Sequence, residues 1–121
     1  MKKWLIVDDD KSFLKMIKNH MRSFGQDVSI ADNLVDAQQL VNHQRFDVIM
    51  VDILFPCSES GIEFAKRNID NCTEMYIFTG QINNQLVIQE LEKDNIMGIN
   101  GIILKEKFIH GLEWAGIYGQ D

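Results

Sequence analysis

Short apolar runs of strand length alternate five times with segments of helical period, and this alternation restricts the folds open to the chain. The predicted strands are residues 3–7, 27–31, 46–51, 74–79 and 101–104. The predicted helices are residues 12–24, 33–42, 61–69, 83–93 and 108–118, the last weakened by its glycines. Such an alternation predicts an α/β fold, with a parallel sheet, right-handed crossovers and helices on both faces.

Within these helices, apolar side chains recur at the spacing that brings them to one face. In the first helix they are Phe13, Leu14, Ile17, Met21 and Phe24, after which Gly25 ends the helix. In the second helix they are Leu34, Ala37, Leu40 and Val41. We also predict that Trp4, Trp114 and the methionines at positions 16, 21, 50 and 97 are packing residues.

The length and composition of the chain set limits on its class. With 121 residues, 45% of them hydrophobic, we expect residues 1–121 to form one compact domain. A net charge of −6 argues against direct binding to nucleic acid, which requires a basic surface. No apolar run suits a signal peptide or a membrane span, and the cysteines Cys57 and Cys72 are scattered, so we expect a cytoplasmic protein that does not enter a membrane.

Chemically useful side chains occur at or just after the ends of four predicted strands. In chain order they are Asp8, Asp9 and Asp10, then Asp52, then Thr79, and finally Lys105. Because the ligand site of an open parallel sheet lies outside the carboxyl ends of its strands, we expect these side chains to meet at one edge.

The chemistry of this set favours phosphoryl transfer. Closely packed carboxylates repel one another, and Mg²⁺ relieves that repulsion while keeping coordination positions for a phosphate oxygen. Phosphoryl transfer needs an in-line nucleophile and positive groups directed at the phosphoryl oxygens. Asp52 is the predicted nucleophile because it stands alone at the end of the middle strand, with Lys105 and Mg²⁺ as positive groups and Thr79 as a hydrogen-bond donor.

Each of these residues also has an ordinary structural interpretation. Asp10 or Ser12 suits the N-cap of the first helix. An aspartate or a threonine at a strand end is often a turn residue, and a lone lysine is often solvated. The functional interpretation therefore depends on their joint occurrence along one alternating sheet.

The stretches LIVDDD, FDVIMVDILFP, SGIE, IFTG and GINGIILK resemble, in this order, the receiver domains of two-component response regulators. The resemblance covers nearly the whole chain and implies a flavodoxin-like, doubly wound sheet of five strands in the order 2-1-3-4-5. It implies that Asp52 accepts a phosphoryl group from a histidine kinase or phosphotransfer protein, and that Thr79 and Lys105 contact the phosphoryl oxygens. It also implies a signalling domain and not an enzyme, with at most slow self-dephosphorylation.

The resemblance further implies a metal site and a face that binds proteins. Mg²⁺ would be held by Asp8, Asp9, Asp52 and the backbone carbonyl of Leu54, with Asp9 expected to be a more direct ligand than Asp8. A downstream protein target would bind the face made by the fourth helix, fifth strand and fifth helix. Because Ile102 would leave an apolar patch on that face, a second copy of the chain, forming a homodimer, is an alternative partner there.

Four departures from the family pattern concern the surroundings of this site. Glu106 follows Lys105, where the family usually has a proline after a cis peptide bond. Ile102 occupies a position that is commonly aromatic. The loop over residues 56–61 and the segment over residues 79–98 are both longer than usual. We therefore expect an intact acceptor site and an unusual output face.

Two other functions are weighed against this one. A haloacid-dehalogenase-type phosphatase would use Asp8 as nucleophile and Asp10 as acid and base, but it leaves Asp52 unexplained and needs a further acidic pair after Lys105. A receiver-like module that binds proteins without phosphorylation fits the departures but not the retained acids. Mass measurement after treatment with a phosphodonor and Mg²⁺ separates the second possibility from a phosphoacceptor.

Overall fold

The computed structural model describes residues 2–52, 61–79 and 99–104. The strands are β1 (Lys3–Val7), β2 (Asp27–Ala31), β3 (Phe46–Asp52), β4 (Cys72–Thr79) and β5 (Ile99–Leu104). The helices are α1 (Lys11–Ser23), α2 (Leu34–His43) and α3 (Gly61–Asn68), and a 3₁₀ turn over Ile69–Asn71 follows α3. The predicted helices at residues 83–93 and 108–118 lie outside the described residues, as do Leu54 and Lys105.

The five strands form one parallel sheet in the order β2-β1-β3-β4-β5, which confirms the predicted flavodoxin-like order. In the centre of the sheet, Val7 pairs with Ala31 on one side and with Val51 on the other. Further along, Asp52 pairs with Phe78. The carboxyl ends of these strands therefore lie at one edge, as a parallel sheet requires.

Successive residues of a strand point to opposite faces of a sheet, and here they enter two separate cores. On one face, α1 packs against Trp4, Ile6, Val48 and Met50. On the other face, α2 and α3 pack against the alternate residues of the same two strands, which are Leu5, Val7, Ile49 and Val51. The described helices thus cover both faces, as predicted, and make the sheet a rigid base for the residues at its edge.

Helix α1 begins and ends at recognisable capping residues. Asp10 is the N-cap, and its carboxylate accepts a hydrogen bond of 3.1 Å from the Phe13 backbone N–H. At the other end, Gly25 has a φ of 78°, and its N–H donates to the Arg22 carbonyl oxygen at 3.0 Å. Glycine adopts this left-handed conformation without a steric penalty, so it ends the helix cleanly. The sequence left Asp10 and Ser12 open as caps, and Asp10 takes the role.

Two of the predicted packing residues of α1 are instead exposed. Phe24 is 50% exposed because the helix ends at Ser23, and its ring lies beside His20 with centroids 5.2 Å apart. Met16 is 44% exposed because it lies outside the stripe of buried side chains. The predictions for Phe24 and Met16 were wrong, while the others on this helix are confirmed, since Phe13, Leu14, Ile17 and Met21 are buried.

A buried amide joins α2 to α3. Asn68 is fully buried, and its Nδ2 donates to Gln38 Oε1 at 2.8 Å and to the Phe64 carbonyl oxygen at 3.0 Å. In return, Gln38 Nε2 donates to Asn68 Oδ1 at 3.2 Å. Asn71 Nδ2 donates to that same oxygen at 2.9 Å. Because all the hydrogen-bonding groups of a buried amide should be paired, this network specifies how α3 lies against α2.

Within the described ranges, no helix combines the length and the apolar composition that crossing a membrane requires.

Candidate functional site

The register of the sheet aligns two of the predicted carboxylates. Val7 of β1 and Val51 of β3 are backbone partners. The residue after Val7 is Asp8, and the residue after Val51 is Asp52. Neighbouring strands lie about 4.8 Å apart, so residues that follow a backbone pair begin close together. The proximity of Asp8 to Asp52 is thus a consequence of strand pairing, with Asp52 as the last residue of β3.

Asp8, Asp9 and Asp52 form a cluster at this edge, which we call the acid cluster. Each of the three offers a carboxylate oxygen, and these oxygens all lie within 4.8 Å of one another. Asp8 is fully buried and Asp52 is 7% exposed, while Asp9 is exposed. The cluster therefore has a buried floor and one solvent-accessible acid.

Backbone hydrogen bonds fix the loop that carries the first two acids. The Asp8 N–H donates to the Ala31 carbonyl oxygen at 3.1 Å, which extends the pairing of β1 with β2 by one residue. Asp8 Oδ1 accepts from the Asp10 N–H at 2.9 Å. The Asp10 carboxylate turns away to cap α1, so Asp10 does not belong to the acid cluster. This geometry also disfavours Asp10 as the acid and base of a phosphatase.

The donor set of the acid cluster fits Mg²⁺. All the ligand atoms it offers are carboxylate oxygens, which are the hard ligands that this cation prefers. Magnesium is usually held by one or two carboxylates with water and phosphate oxygens in its remaining positions, and exposed Asp9 leaves one side of the cluster open to solvent.

The other predicted site residues are described only in part. Thr79 is the last residue of β4 and pairs with Leu104, the last residue of β5. Since β4 is next to β3 and Phe78 pairs with Asp52, Thr79 lies one residue beyond Asp52 along the same edge. Lys105 follows Leu104 in sequence but lies outside the described residues, as does Leu54.

On the opposite flank of the acid cluster is an ion pair that the sequence did not reveal. Asp32 follows β2, and its carboxylate lies 3.5 Å from Nζ of Lys11, the first residue of α1. Asn33 Nδ2 donates to Asp32 Oδ1 at 2.8 Å, and this bond is the main cause that lowers the pKa of Asp32. Lys11 lowers that pKa further. The expectation that site residues lie just after the carboxyl ends of strands could have identified Asp32, because Asp32 directly follows β2.

Comparison with known proteins adds a family to this geometry. The sequence model of the response regulator receiver domain matches residues 4–110. The chain belongs to this family. Receiver domains are signalling domains rather than enzymes in the usual sense.

Curated relatives of this receiver domain are longer proteins. A response regulator receiver protein of Anaeromyxobacter is 36% identical over 84 residues, which is 68% of this chain and 35% of the relative. Transcription factor SKN7 of Saccharomyces cerevisiae is 28% identical over 102 residues, which is 84% of this chain and 16% of that protein. The chain thus spans less than half the length of these relatives.

Solved structures share the fold over nearly the full chain. The receiver domain of a Francisella response regulator is 26% identical with a TM-score of 0.76, and the match covers 95% of this chain and 93% of that one. The response regulator TrrA of Thermotoga maritima, solved in complex with Mg²⁺ and BeF, has a TM-score of 0.75 at 19% identity, covering 96% and 97% of the two chains. The second likeness concerns the fold alone.

Proposed function

We propose that the chain is a phosphoacceptor of a two-component system and that Asp52 takes the phosphoryl group. The observation that carries this proposal is the acid cluster: Asp52 ends the middle strand with its carboxylate within 4.8 Å of ligand oxygens from Asp8 and Asp9. Membership of the receiver family supports it. The donor is a histidine kinase or a histidine phosphotransfer protein.

In the transfer step, an Asp52 carboxylate oxygen forms a bond to phosphorus in line with the donor. The phosphorus–nitrogen bond to the donor histidine breaks, and its electron pair remains on the imidazole nitrogen. Asp52 is well suited to this attack because its strand is buried and hydrogen-bonded on both sides, so the backbone that carries the carboxylate is held in place.

Asp8, Asp9 and Asp52, with the backbone carbonyl of Leu54, would hold Mg²⁺, which supplies positive charge where the transferring group becomes more negative. Asp8 is kept in position by the hydrogen bonds of its loop, and Asp9 offers the accessible ligand. The TrrA structure, which was solved in complex with Mg²⁺ and BeF, supports this assignment by its shared fold.

Thr79 and Lys105 would complete the site by contacting the phosphoryl oxygens. Thr79 ends the strand next to that of Asp52, so a hydroxyl at this position suits an oxygen of a group on Asp52. Lys105 directly follows the last residue of β5, which pairs with Thr79. A hydroxyl and an ammonium directed at these oxygens stabilise their charge.

The output of the domain would be a change at the face formed by the fourth helix, β5 and the fifth helix. A downstream protein target, or a second copy of the chain, would bind that face. We infer that residues 1–121 act as one receiver domain in the cytoplasm, with no direct contact to nucleic acid or membrane.

The test is the intact mass of the protein after incubation with acetyl phosphate and Mg²⁺. In this reaction an Asp52 oxygen bonds to phosphorus and acetate leaves with the electron pair of the broken phosphorus–oxygen bond. We expect a gain of one phosphoryl group in the wild type, none in Asp52→Asn and a normal gain in Asp27→Asn. Asp27 is the matched control because it is an exposed aspartate at the opposite edge of the sheet.

A wild type whose mass does not change would favour the module that binds proteins without phosphorylation. A gain that persists in Asp52→Asn but is lost in Asp8→Asn would favour the phosphatase-type nucleophile.

A further inference from the structure

Lys11 stands at a position that local helix chemistry disfavours. It is the first residue of α1, where the helix dipole attracts negative and repels positive side chains. The first turn of α1 itself holds no acidic residue, and the nearest local acid is the N-cap Asp10, whose carboxylate accepts from the Phe13 N–H. Residues that break a local rule often serve a site, so the surroundings of Lys11 are informative.

The charge of Lys11 is held by a residue from another strand. Its Nζ lies 3.5 Å from the Asp32 carboxylate, which is itself oriented by the 2.8 Å hydrogen bond from Asn33 Nδ2. The Lys11 side chain is 82% exposed and that of Asp32 is 33% exposed. Because an ion pair this exposed contributes little to stability, Asp32 biases the position of the Lys11 ammonium without fixing it.

That location is the flank of the acid cluster. Asp32 and Asp8 directly follow β2 and β1, and Asp52 is the last residue of β3; these three strands are adjacent and in register. With a strand spacing of about 4.8 Å, the backbone of Asp32 lies roughly 10 Å from that of Asp52, and the Lys11 ammonium lies 3.5 Å from the Asp32 carboxylate. Lys11 is also only two residues from Asp9 in the sequence.

We propose that Lys11 is an electrostatic positioning residue for the acid cluster and that Asp32 is the tether that keeps its ammonium at a working distance. This inference rests on the proposed phosphoacceptor function. At that distance the ammonium offsets the repulsion between the acid cluster and an anionic phosphodonor. It also opposes the bound cation, so it weakens Mg²⁺ affinity without entering the coordination sphere.

The size of the effect follows from Coulomb's law. A unit charge roughly 10 Å from a divalent ion changes its affinity about fourfold in a water-like dielectric, and salt reduces this factor. At low salt we therefore expect Lys11→Ala to tighten Mg²⁺ binding about twofold to fourfold. At saturating Mg²⁺ we expect phosphorylation by acetyl phosphate to slow by a similar factor.

Lys15→Ala is the matched control. It removes the same charge from the same face of α1, but one helical turn further from the acid cluster. Calorimetric Mg²⁺ titrations of the full chain at low and at high salt compare the two variants with the wild type. The proposal is supported if Lys11→Ala, but not Lys15→Ala, binds Mg²⁺ more tightly than the wild type and this difference disappears at high salt. Equal Mg²⁺ affinities for the two variants overturn it.

A double-mutant cycle tests the tether. Asp32→Asn should weaken Mg²⁺ binding more in the wild type than in Lys11→Ala, because only the wild type has an ammonium to release towards the acid cluster. A merely structural ion pair would give coupling in the unfolding free energy and none in Mg²⁺ affinity, which overturns the role of Asp32. A wild type that binds Mg²⁺ but gains no phosphoryl group contradicts the proposed function, and the Mg²⁺ titrations then still decide the role of Lys11.

Discussion

Asp8 and Asp52 stand side by side at the ends of neighbouring parallel strands, one residue beyond the backbone pair of Val7 with Val51. Both are buried, and with Asp9 each offers an oxygen within 4.8 Å of the others. Buried like charges at such distances oppose folding unless a cation or a proton compensates them. The acid cluster therefore stores repulsion that a bound cation would relieve.

Asp52→Asn should consequently raise the free energy of unfolding of the metal-free chain, by about 1–2 kcal/mol, because it removes a charge from the acid cluster. Urea unfolding in the presence of a chelator measures this value. The same experiment with added Mg²⁺ should stabilise the wild type more than the variant, since only a ligand bound to the folded state stabilises it. Asp27→Asn is the control, and an equal rise in that variant would contradict the explanation.

Asp9→Ala should weaken Mg²⁺ binding more than Asp8→Ala does. Asp9 is the exposed member of the acid cluster, whereas one oxygen of Asp8 already accepts the Asp10 N–H. Asp8→Ala should instead lower the unfolding free energy relative to Asp9→Ala, because the Asp10 N–H loses its acceptor. Calorimetric titration and urea unfolding of both variants measure the two quantities, and equal Mg²⁺ affinities would refute the ranking.

The sequence predicted the first three strands well because their apolar runs end abruptly at charged residues. Strands β1 and β2 have the predicted bounds, and β3 is longer than predicted only by Asp52. Strand β4 begins at Cys72, earlier than predicted, because Cys72 pairs with Phe46 across the sheet. A local pattern contains no information about such a partner.

The candidate site was predictable where it depends on strand ends and unpredictable where it depends on contacts between distant side chains. Asp8, Asp9 and Asp52 follow from the strand-end rule. The pairing of Lys11 with Asp32 and the bond of Gln38 to Asn68 join separate elements, so no periodicity reveals them. Phe24 was predicted to be buried and is exposed, because a helical pattern of apolar residues does not show where the helix ends.

Cys72 should be an unreactive thiol whose burial makes stability depend on pH. Burial is the main cause that raises the pKa of this thiol to about 11, from 9.0. A raised pKa in the folded state means that its contribution to stability is complete below about pH 9 and is lost as pH rises through about 11. The loss amounts to at most about 3 kcal/mol.

The measurement for Cys72 is the difference in unfolding free energy between the wild type and Cys72→Ala from pH 8 to pH 11. Other groups titrate in this range in both proteins, so their contributions cancel in the difference. The advantage of the wild type should shrink above pH 9. A constant difference would show that the thiol is not shielded from water.

We expect the buried amide of Asn68 to stabilise the packing of α3 against α2 and to play no part in the acid cluster. Asn68→Ala removes a fully buried side chain together with its hydrogen bonds to Gln38 and to the Phe64 carbonyl oxygen, so we expect a loss of about 2–4 kcal/mol in unfolding free energy. Asn42→Ala is the matched control. Asn42 accepts from the same Gln38 Nε2 at 2.9 Å but is exposed, and its removal should cost no more than about 0.5 kcal/mol.

Phosphorylation of Asn68→Ala tests whether the hydrogen bonds of Asn68 affect the acceptor site. Asn68 lies just before Cys72, the first residue of β4, and so near the amino ends of the strands, whereas Asp52 lies at their carboxyl ends. Asn68→Ala should therefore retain the phosphoryl mass gain under conditions where it remains folded. A folded Asn68→Ala that loses the mass gain would instead mean that the hydrogen bonds of Asn68 influence the acceptor site. Gln38→Ala should reproduce much of the stability loss, and the double variant should lose less than the sum of the two, because both changes break the same reciprocal bonds.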